Sequence, residues 1–137
     1  MQHRLQVETN LEDLAAVLSW FNGHCQPQLS RQTLIQCQTI LAEGFTNAVR
    51  HAHRDKSMHT PIELEVSILA DQIELRIWDC GPEFDLEQRI QTSPRQTQTE
   101  ATGGRGIQLI AGLADSYSYR RTGSRNCLQI TKATAVA

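Results

Sequence analysis

Residues 40–51 of the chain read ILAEGFTNAVRH. The apolar residues of this stretch recur at the spacing of one helix face, which predicts an amphipathic helix packed on a core. They are Ile40, Leu41, Phe45, Ala48 and Val49. Glu43, Asn47 and His51 follow one another at intervals of four residues, so the same helix places them along one face. This row fits either a solvated stripe opposite the core or a set of side chains that bind a ligand.

The composition is typical of a soluble globular domain. The chain has 137 residues, 39% hydrophobic and 20% charged, which is enough for one core. The formal net charge of −2 gives no reason to expect nucleic acid or an anionic membrane as a partner. No stretch approaches the roughly 18 apolar residues of a membrane span, and the N-terminal MQHRLQVETN lacks the apolar region of a signal peptide. We therefore expect one cytoplasmic domain over residues 1–137.

The four cysteines predict neither a disulfide framework nor a zinc site. No CxxC pair occurs, and the spacing of His51 and His53 suits neither a helix face nor a zinc finger. We expect reduced thiols that pack as small hydrophobic side chains, and no metal site built from protein ligands alone. The cysteines are Cys25, Cys37, Cys80 and Cys127.

Patterns along the chain predict the element order β-α-α-β-β-lid-α-β-β. The helix N-caps are expected at Asn10 and Ser30, and the first helix is expected to end at Asn22-Gly23. Period-two alternation predicts a hairpin of strands over 62–68 and 73–77. The remaining expected elements are a strand over 3–7, a helix over 107–113, a hairpin over 117–121 and 127–131, and a frayed tail from residue 133. This order predicts an α+β two-layer sandwich, with helices on one face of a mixed, mostly antiparallel sheet.

Three short motifs carry the expected chemistry. Glu43, Asn47 and His51 form E-x-x-x-N-x-x-x-H, residues 79–85 form D-x-G-x-x-F-D, and residues 103–106 form G-G-x-G directly before a helix. Each motif alone is weak, because Asp-x-Gly at a strand end and glycine-rich stretches are more often plain turns. Between the last two motifs lies a polar stretch without periodicity, 83–103, which predicts a functional lid or disorder.

In this order, the motifs resemble the N, G1 and G2 boxes of the GHKL ATPase superfamily, which includes gyrase, histidine kinases and MutL. The segments AEGFTNAVRHAH, WDCGPEFDLE and GGRGIQLI resemble more closely the anti-sigma regulatory serine/threonine kinases of that superfamily. The resemblance covers nearly the whole chain and implies the Bergerat ATPase fold. It also implies ATP and Mg²⁺ as cofactors, a STAS-domain antagonist as the phosphorylated partner, a sigma factor as a second partner, and a homodimer.

The residue types at the motif positions suit these ligands. Asp79, at a strand end, can accept a hydrogen bond from the exocyclic amine of adenine, which would discriminate against the carbonyl of guanine. Gly81 leaves no side chain to block the purine. Asn47 supplies an amide oxygen, a hard ligand suited to Mg²⁺. Gly104 and Gly106 precede a helix N-terminus, where backbone N–H groups and the helix dipole favour a triphosphate.

The resemblance implies roles for further residues. Glu43 corresponds to the glutamate that polarises the attacking serine hydroxyl of the partner protein. The other implied nucleotide-binding residues are His51, Phe84, Gly103 and Arg105. His51 equally fits a structural histidine, Arg105 equally fits an exposed side chain, and Asp79 has the alternative role of capping a turn.

Gly44 departs from the alanine that many relatives carry after the glutamate. A glycine inside a helix costs about 1 kcal/mol. Close approach of the nucleotide or of another backbone is one explanation for it, and the sequence alone does not decide its role.

Two other functions remain open from the sequence. The chain fits an ATP-binding adaptor that holds partner proteins with weak or no phosphotransfer, although a pure nucleotide sensor has no need of a base at Glu43. A lone ATPase of the gyrase type is disfavoured because the sequence has no transducer domain.

Overall fold

A five-stranded antiparallel sheet forms one of the two layers of the fold. The computed structural model describes residues 2–83, 86 and 104–134, and for residues 104 and 105 the backbone alone. The strands are β1 (Gln2–Val7), β2 (Ile62–Ile68), β3 (Gln72–Asp79), β4 (Ser116–Thr122) and β5 (Arg125–Ala133). They lie in the order β1-β2-β3-β5-β4, and each of the four pairings between them is antiparallel. The expected α+β class with a mostly antiparallel sheet is confirmed.

The second layer consists of helices. They are α1 (Leu14–Cys25), α2 (Arg31–Asn47) and α3 (Gly104–Leu113), with short 3₁₀ turns at Leu11–Asp13 and Gln26–Gln28. Both expected caps form. The Asn10 side chain accepts the N–H of Glu12 at 3.0 Å, and Ser30 Oγ accepts the N–H of Thr33 at 3.1 Å. Within the described ranges, no helix is both long and apolar enough to cross a membrane.

The first helix is longer than predicted. Its expected end at Asn22-Gly23 is wrong, because α1 continues through these residues to Cys25. Tertiary contacts hold this last turn: Asn22 Oδ1 accepts a hydrogen bond from Gln38 Nε2 of α2 at 2.7 Å, and Cys25 is fully buried. These contacts outweigh the low helix propensity of Asn and Gly.

The last hairpin also extends beyond its predicted bounds. Ala133, expected in a frayed tail, pairs with Gln72 of β3. β4 and β5 are joined by Gly123-Ser124, where Gly123 has a φ of 64°. Glycine adopts this left-handed conformation without steric cost, which allows the two-residue turn.

The core lies between the sheet and the helices α1, α2 and α3. Its fully buried side chains include Phe21 of α1, Phe45 of α2 and Leu75 of β3. Gly44 of α2 faces this core: a Cβ at residue 44 would overlap the Ile77 side chain. The role that the sequence left open is therefore structural: Gly44 brings α2 close to side chains of the core, and the neighbour that it accommodates is neither a nucleotide nor another backbone.

Three of the four cysteines are buried in this interior. All four are free thiols, and burial raises the pKa of Cys25 and Cys127 to about 11 and that of Cys37 to about 12. Thiols with a pKa this high stay protonated at neutral pH, so these three pack as small hydrophobic side chains.

The long helix does not end at Asn47 but changes its geometry there. Residues Ala48–Ala52 form a π-helical turn, in which the N–H of His53 donates to the carbonyl of Ala48 at 2.9 Å. The prediction of one regular helix over 40–51 is therefore wrong beyond Asn47, because the wider turn changes the directions of the later side chains. His53 consequently points into the protein and is only 2% exposed.

Candidate functional site

The three motifs meet along the helical run from residue 43 to residue 53. Glu43 packs on the first turn of α3, where its Oε1 lies 2.6 Å from the position that a Cβ on Gly106 would take. At the other end, Gly81 lies so close to the Ala52 carbonyl that a Cβ at residue 81 would overlap it. Glu43 and Ala52 are nine residues apart along α2 and its π-helical turn, a separation of at most about 13 Å at the rise of an α-helix. The site is therefore elongated, with the end of β3 at one extreme and the start of α3 at the other.

Asp79 is the last residue of β3 and is 8% exposed. Its Oδ1 accepts two hydrogen bonds, from the backbone N–H of Gly81 at 2.8 Å and from Nδ2 of Asn126 at 2.9 Å. The first of these bonds is the turn cap that the sequence left as an alternative role. The other carboxylate oxygen, Oδ2, carries neither bond, so capping leaves an acceptor for a ligand.

Asn126 and Arg121 join the site without having been predicted. Asn126 of β5 is fully buried and lies directly opposite Asp79 in the sheet. Its Nδ2 also donates to the carbonyl of Gly81 at 2.9 Å, while Arg121 donates from Nη1 to Asn126 Oδ1 at 3.0 Å and to that carbonyl at 3.1 Å. A sequence signal exists, because Asn126 is a polar residue in register with the core residues Leu128 and Ile130.

His53 supports the same turn from the other side and was also missed. Its Nε2 accepts the backbone N–H of Cys80 at 2.8 Å, and its Nδ1 lies 2.8 Å from Thr9 Oγ1. The Thr9 hydroxyl donates its proton to the carbonyl of Thr60 at 2.6 Å, so it accepts from the ring. His53 is therefore neutral, with its proton on Nδ1.

The surroundings favour this neutral form. Burial lowers the pKa of His53, the nearby Asp79 carboxylate opposes that shift, and the Lys56 ammonium adds to it. A second ring proton would also point at the N–H of Cys80, so protonation would break the bond that holds the Asp79–Gly81 turn.

We expect this histidine to make stability pH-dependent. Because its pKa in the folded protein lies below the ordinary 6.5, the unfolded chain binds the extra proton first as the pH falls. The contribution of neutral His53 to the free energy of unfolding is complete above pH 6.5. It is lost below that pH, at a slope of at most about 1.4 kcal/mol per pH unit. Urea unfolding of wild type and His53→Gln between pH 5 and 8 measures the difference. The exposed His59 gives the control variant, His59→Gln, and a slope unchanged by His53→Gln would refute the assignment.

Asn47 lies one helical turn after Glu43. Its Oδ1 is buried and has no hydrogen-bond partner among the described residues. A buried amide oxygen without a partner costs about 1–3 kcal/mol, which is recovered when a ligand contacts it. A hard oxygen at this place fits Mg²⁺, since that ion takes few protein ligands and keeps several waters.

A cavity of about 410 Å³ opens beside the Gly81–Ala52 contact. Its charged lining includes two exposed cations, Arg54 and Lys56, and one acid, Asp55. This balance favours an anionic ligand, and the volume is within the usual range of small-molecule sites. The full lining is His51, Ala52, Arg54, Asp55, Lys56 and Pro82.

The described residues bring together most of the predicted site. Two glycines, Gly81 and Gly106, are at close contacts, Gly104 is the first residue of α3, and His51 lines the cavity. Phe84 and Gly103 lie outside the described residues, as does the side chain of Arg105. Most of the predicted lid over 83–103 lies outside them too.

A family model described as a histidine kinase-like ATPase domain matches residues 7–132. The chain belongs to this family. The match covers the whole run from the end of β1 to β5, so it includes all three motifs. Membership of this ATPase family implies that the chain binds a nucleotide.

Curated relatives refine the comparison. The chain is 33% identical over 91 residues to the serine-protein kinase RsbW of Listeria innocua, an alignment that covers 63% of this chain and 57% of that protein. The serine-protein kinase RsbW of Staphylococcus aureus is 33% identical over 89 residues, covering 61% and 56%. The matches therefore span little more than half the length of these relatives. They confirm the resemblance to serine kinases of this superfamily.

Solved structures show the same fold. The RsbU and RsbW domains of Rv1364c from Mycobacterium tuberculosis superpose with a TM-score of 0.70 at 9% identity, covering all of this chain and 34% of that one. The catalytic domain of the histidine kinase ThkA gives a TM-score of 0.55 at 11% identity, covering 96% and 97%. At such identities the likeness concerns the fold alone.

Proposed function

We propose that the chain is an anti-sigma-type serine/threonine protein kinase that binds ATP with Mg²⁺ and phosphorylates a partner protein. The observation that carries this proposal is the position of Glu43. Its carboxylate packs against Gly106 in the first turn of α3. Glu43 also lies one helical turn before Asn47, whose Oδ1 has no hydrogen-bond partner in the part of the chain that the structure describes. A carboxylate placed between an anion-favouring helix end and a metal-ligand oxygen suits a general base for phosphoryl transfer.

The two ends of the elongated site bind different parts of the nucleotide in this proposal. Asp79 Oδ2 accepts a hydrogen bond from the exocyclic amine of adenine, and Gly81 lets the turn after β3 pack against the Ala52 carbonyl at the purine end. Asn47 Oδ1 holds Mg²⁺, which when bound neutralises charge on the phosphates. Arg54 and Lys56 add positive potential at the cavity. Glu43 takes the proton of the attacking serine or threonine hydroxyl.

The proposed partners follow from the resemblance to anti-sigma kinases and from relatives named serine-protein kinase. The phosphorylated protein is a STAS-domain antagonist, and the kinase controls a sigma factor by exchanging one partner for the other. We also propose a homodimer. The face of the sheet away from the helices carries ion pairs such as Arg4–Glu65, at 2.7 Å, in which the arginine is exposed and the glutamate is buried. Such pairs suit a polar surface between two copies.

Calorimetric titration with ATP, ADP and GTP, with and without Mg²⁺, tests the proposal. We expect micromolar binding that needs Mg²⁺ and prefers adenine. Labelled ATP then tests transfer to a STAS-domain protein. Absence of nucleotide binding would overturn the proposal. Binding without transfer would favour the alternative, an ATP-binding adaptor that acts by holding partner proteins.

Asp79→Asn is the matched variant for the adenine preference. The asparagine Oδ1 retains the bonds from Gly81 and Asn126, so its NH₂ group takes the place of Asp79 Oδ2. A donor at that point opposes the amine of adenine and matches the carbonyl of guanine. We expect this variant to lose affinity for ATP relative to GTP.

A further inference from the structure

We propose that Asn126 is a positioning residue that fixes the rotamer of Asp79 and thereby sets the preference for purines that carry a 6-amino group. This inference rests on the proposed function, because it concerns the nucleotide that the same site would bind. Asn126 does not contact the ligand in this account. It acts through the carboxylate that does.

The orientation of the Asn126 amide is determined by its neighbours. Arg121, a donor, contacts Oδ1 at 3.0 Å, whereas two acceptors, Asp79 Oδ1 and the Gly81 carbonyl, each lie 2.9 Å from Nδ2. The reversed amide would place an oxygen against both acceptors and an NH₂ group against the guanidinium. Arg121 and the two acceptors together therefore select the orientation in which Asn126 donates to Asp79.

The fixed amide in turn fixes the carboxylate. Asp79 Oδ1 receives donors from Asn126 and from the N–H of Gly81, and rotation of the carboxylate would break both bonds. Because Asn126 is fully buried, water is not at hand to replace the lost donor. Oδ2 is thereby held as the oxygen that meets the ligand. A carboxylate only accepts hydrogen bonds, so this arrangement discriminates in favour of an amine at position 6 of the purine.

A purely structural role for Asn126 is the competing explanation. The same Nδ2 lies 3.3 Å from the carbonyl of Pro82 as well as 2.9 Å from that of Gly81, so it also satisfies buried backbone acceptors. A structural role predicts that loss of the amide weakens every nucleotide alike. A positioning role predicts that, once the amide is lost, the 6-amino group in particular no longer contributes to nucleotide affinity.

The experiment compares ATP with purine riboside triphosphate, which lacks only the 6-amino group, by calorimetry in the presence of Mg²⁺. In wild type we expect ATP to bind roughly tenfold more tightly, as a hydrogen bond to a charged acceptor provides. In Asn126→Leu, which keeps the branching at Cγ but lacks the donor, we expect the two nucleotides to bind almost equally. Ile130→Val is the control, because Ile130 is fully buried on the same strand, and it should keep the wild-type ratio.

Asn126→Val is a second variant for the case in which Asn126→Leu fails to fold. Valine also lacks the donor, is smaller than leucine and is favoured in strands such as β5. We expect the ATP preference to fall in this variant too. A wild-type ratio in either folded variant, with both nucleotides equally weakened, would overturn the positioning role alone. If wild type itself bound neither nucleotide, the proposed function would fail, and the positioning role with it.

Discussion

Replacement of Glu43 by glutamine is expected to slow phosphoryl transfer by roughly 100- to 10,000-fold and to leave ATP affinity nearly unchanged. Glutamine has the shape of glutamate, so the packing against Gly106 is kept. It cannot take a proton from an attacking hydroxyl, and that is the step assigned to Glu43. Transfer of labelled phosphate from ATP to a STAS-domain serine measures the rate, and calorimetry measures the affinity.

Two glycines of α3 provide a matched pair for this prediction. A Cβ at Gly106 would lie 2.6 Å from Glu43 Oε1, whereas a Cβ at Gly112 meets nothing within 4 Å. Gly106→Ala should displace the carboxylate, the flexible end of its side chain, and so reduce transfer without unfolding the protein. Gly112→Ala should transfer normally and stabilise the helix by up to about 1 kcal/mol. Normal transfer by Glu43→Gln, or equal rates in the two alanine variants, would remove Glu43 from the role of base.

The sequence was sufficient to predict the elements whose signals are local. The alternation of apolar and polar residues in β2 and β3 is a pattern of neighbouring residues. The helix caps at Asn10 and Ser30 also depend on residues close by in the sequence. A residue's face and its capping bond are both decided within a few positions of the chain. The order of these elements then determined the α+β class.

The contacts that shape the site were not predictable in this way. His53 contacts Cys80, and Asn126 contacts Asp79, across 27 and 47 residues of sequence. Each is a buried polar side chain whose partner is known only once the strands are placed, because the energy of such a pair depends on tertiary position. The π-helical turn that directs His53 inward has no distinct sequence signature either.

Gly44 shows that the tertiary neighbours of a glycine are equally hard to predict from the sequence. From its position beside Glu43, the close approach of a ligand or backbone was the natural interpretation. The side chain that approaches it is Ile77, which lies on β3, more than thirty residues further along the chain. Asn126 is different, because its alternation with Leu128 and Ile130 is a local pattern that marks a polar residue on a core face.

Replacement of Asn47 by alanine is expected to weaken Mg²⁺-dependent ATP binding by roughly 100-fold or more, since even residues that only support a metal ligand contribute 10- to 100-fold. The variant removes the one amide oxygen that we assign to the metal. Calorimetry with Mg²⁺ and again with a chelator separates this loss from any change in metal-free nucleotide binding. Asn47→Asp is the control, because it keeps an oxygen in the same place and should retain Mg²⁺.

We expect Asn47→Ala to leave the stability of the nucleotide-free protein unchanged or to raise it. This expectation distinguishes a residue that binds a metal from a residue with a structural role. A buried Oδ1 without a partner among residues 2–83, 86 and 106–134 destabilises the nucleotide-free fold, and asparagine is a poorer helix former than alanine. Asn47→Ala should therefore unfold at the same temperature as wild type or at a higher one while it loses Mg²⁺-ATP. A variant that bound Mg²⁺-ATP normally would refute the metal assignment. A marked fall in stability would show that Oδ1 is bonded within the fold. Loss of binding together with gained stability is the result expected of a residue kept for its ligand.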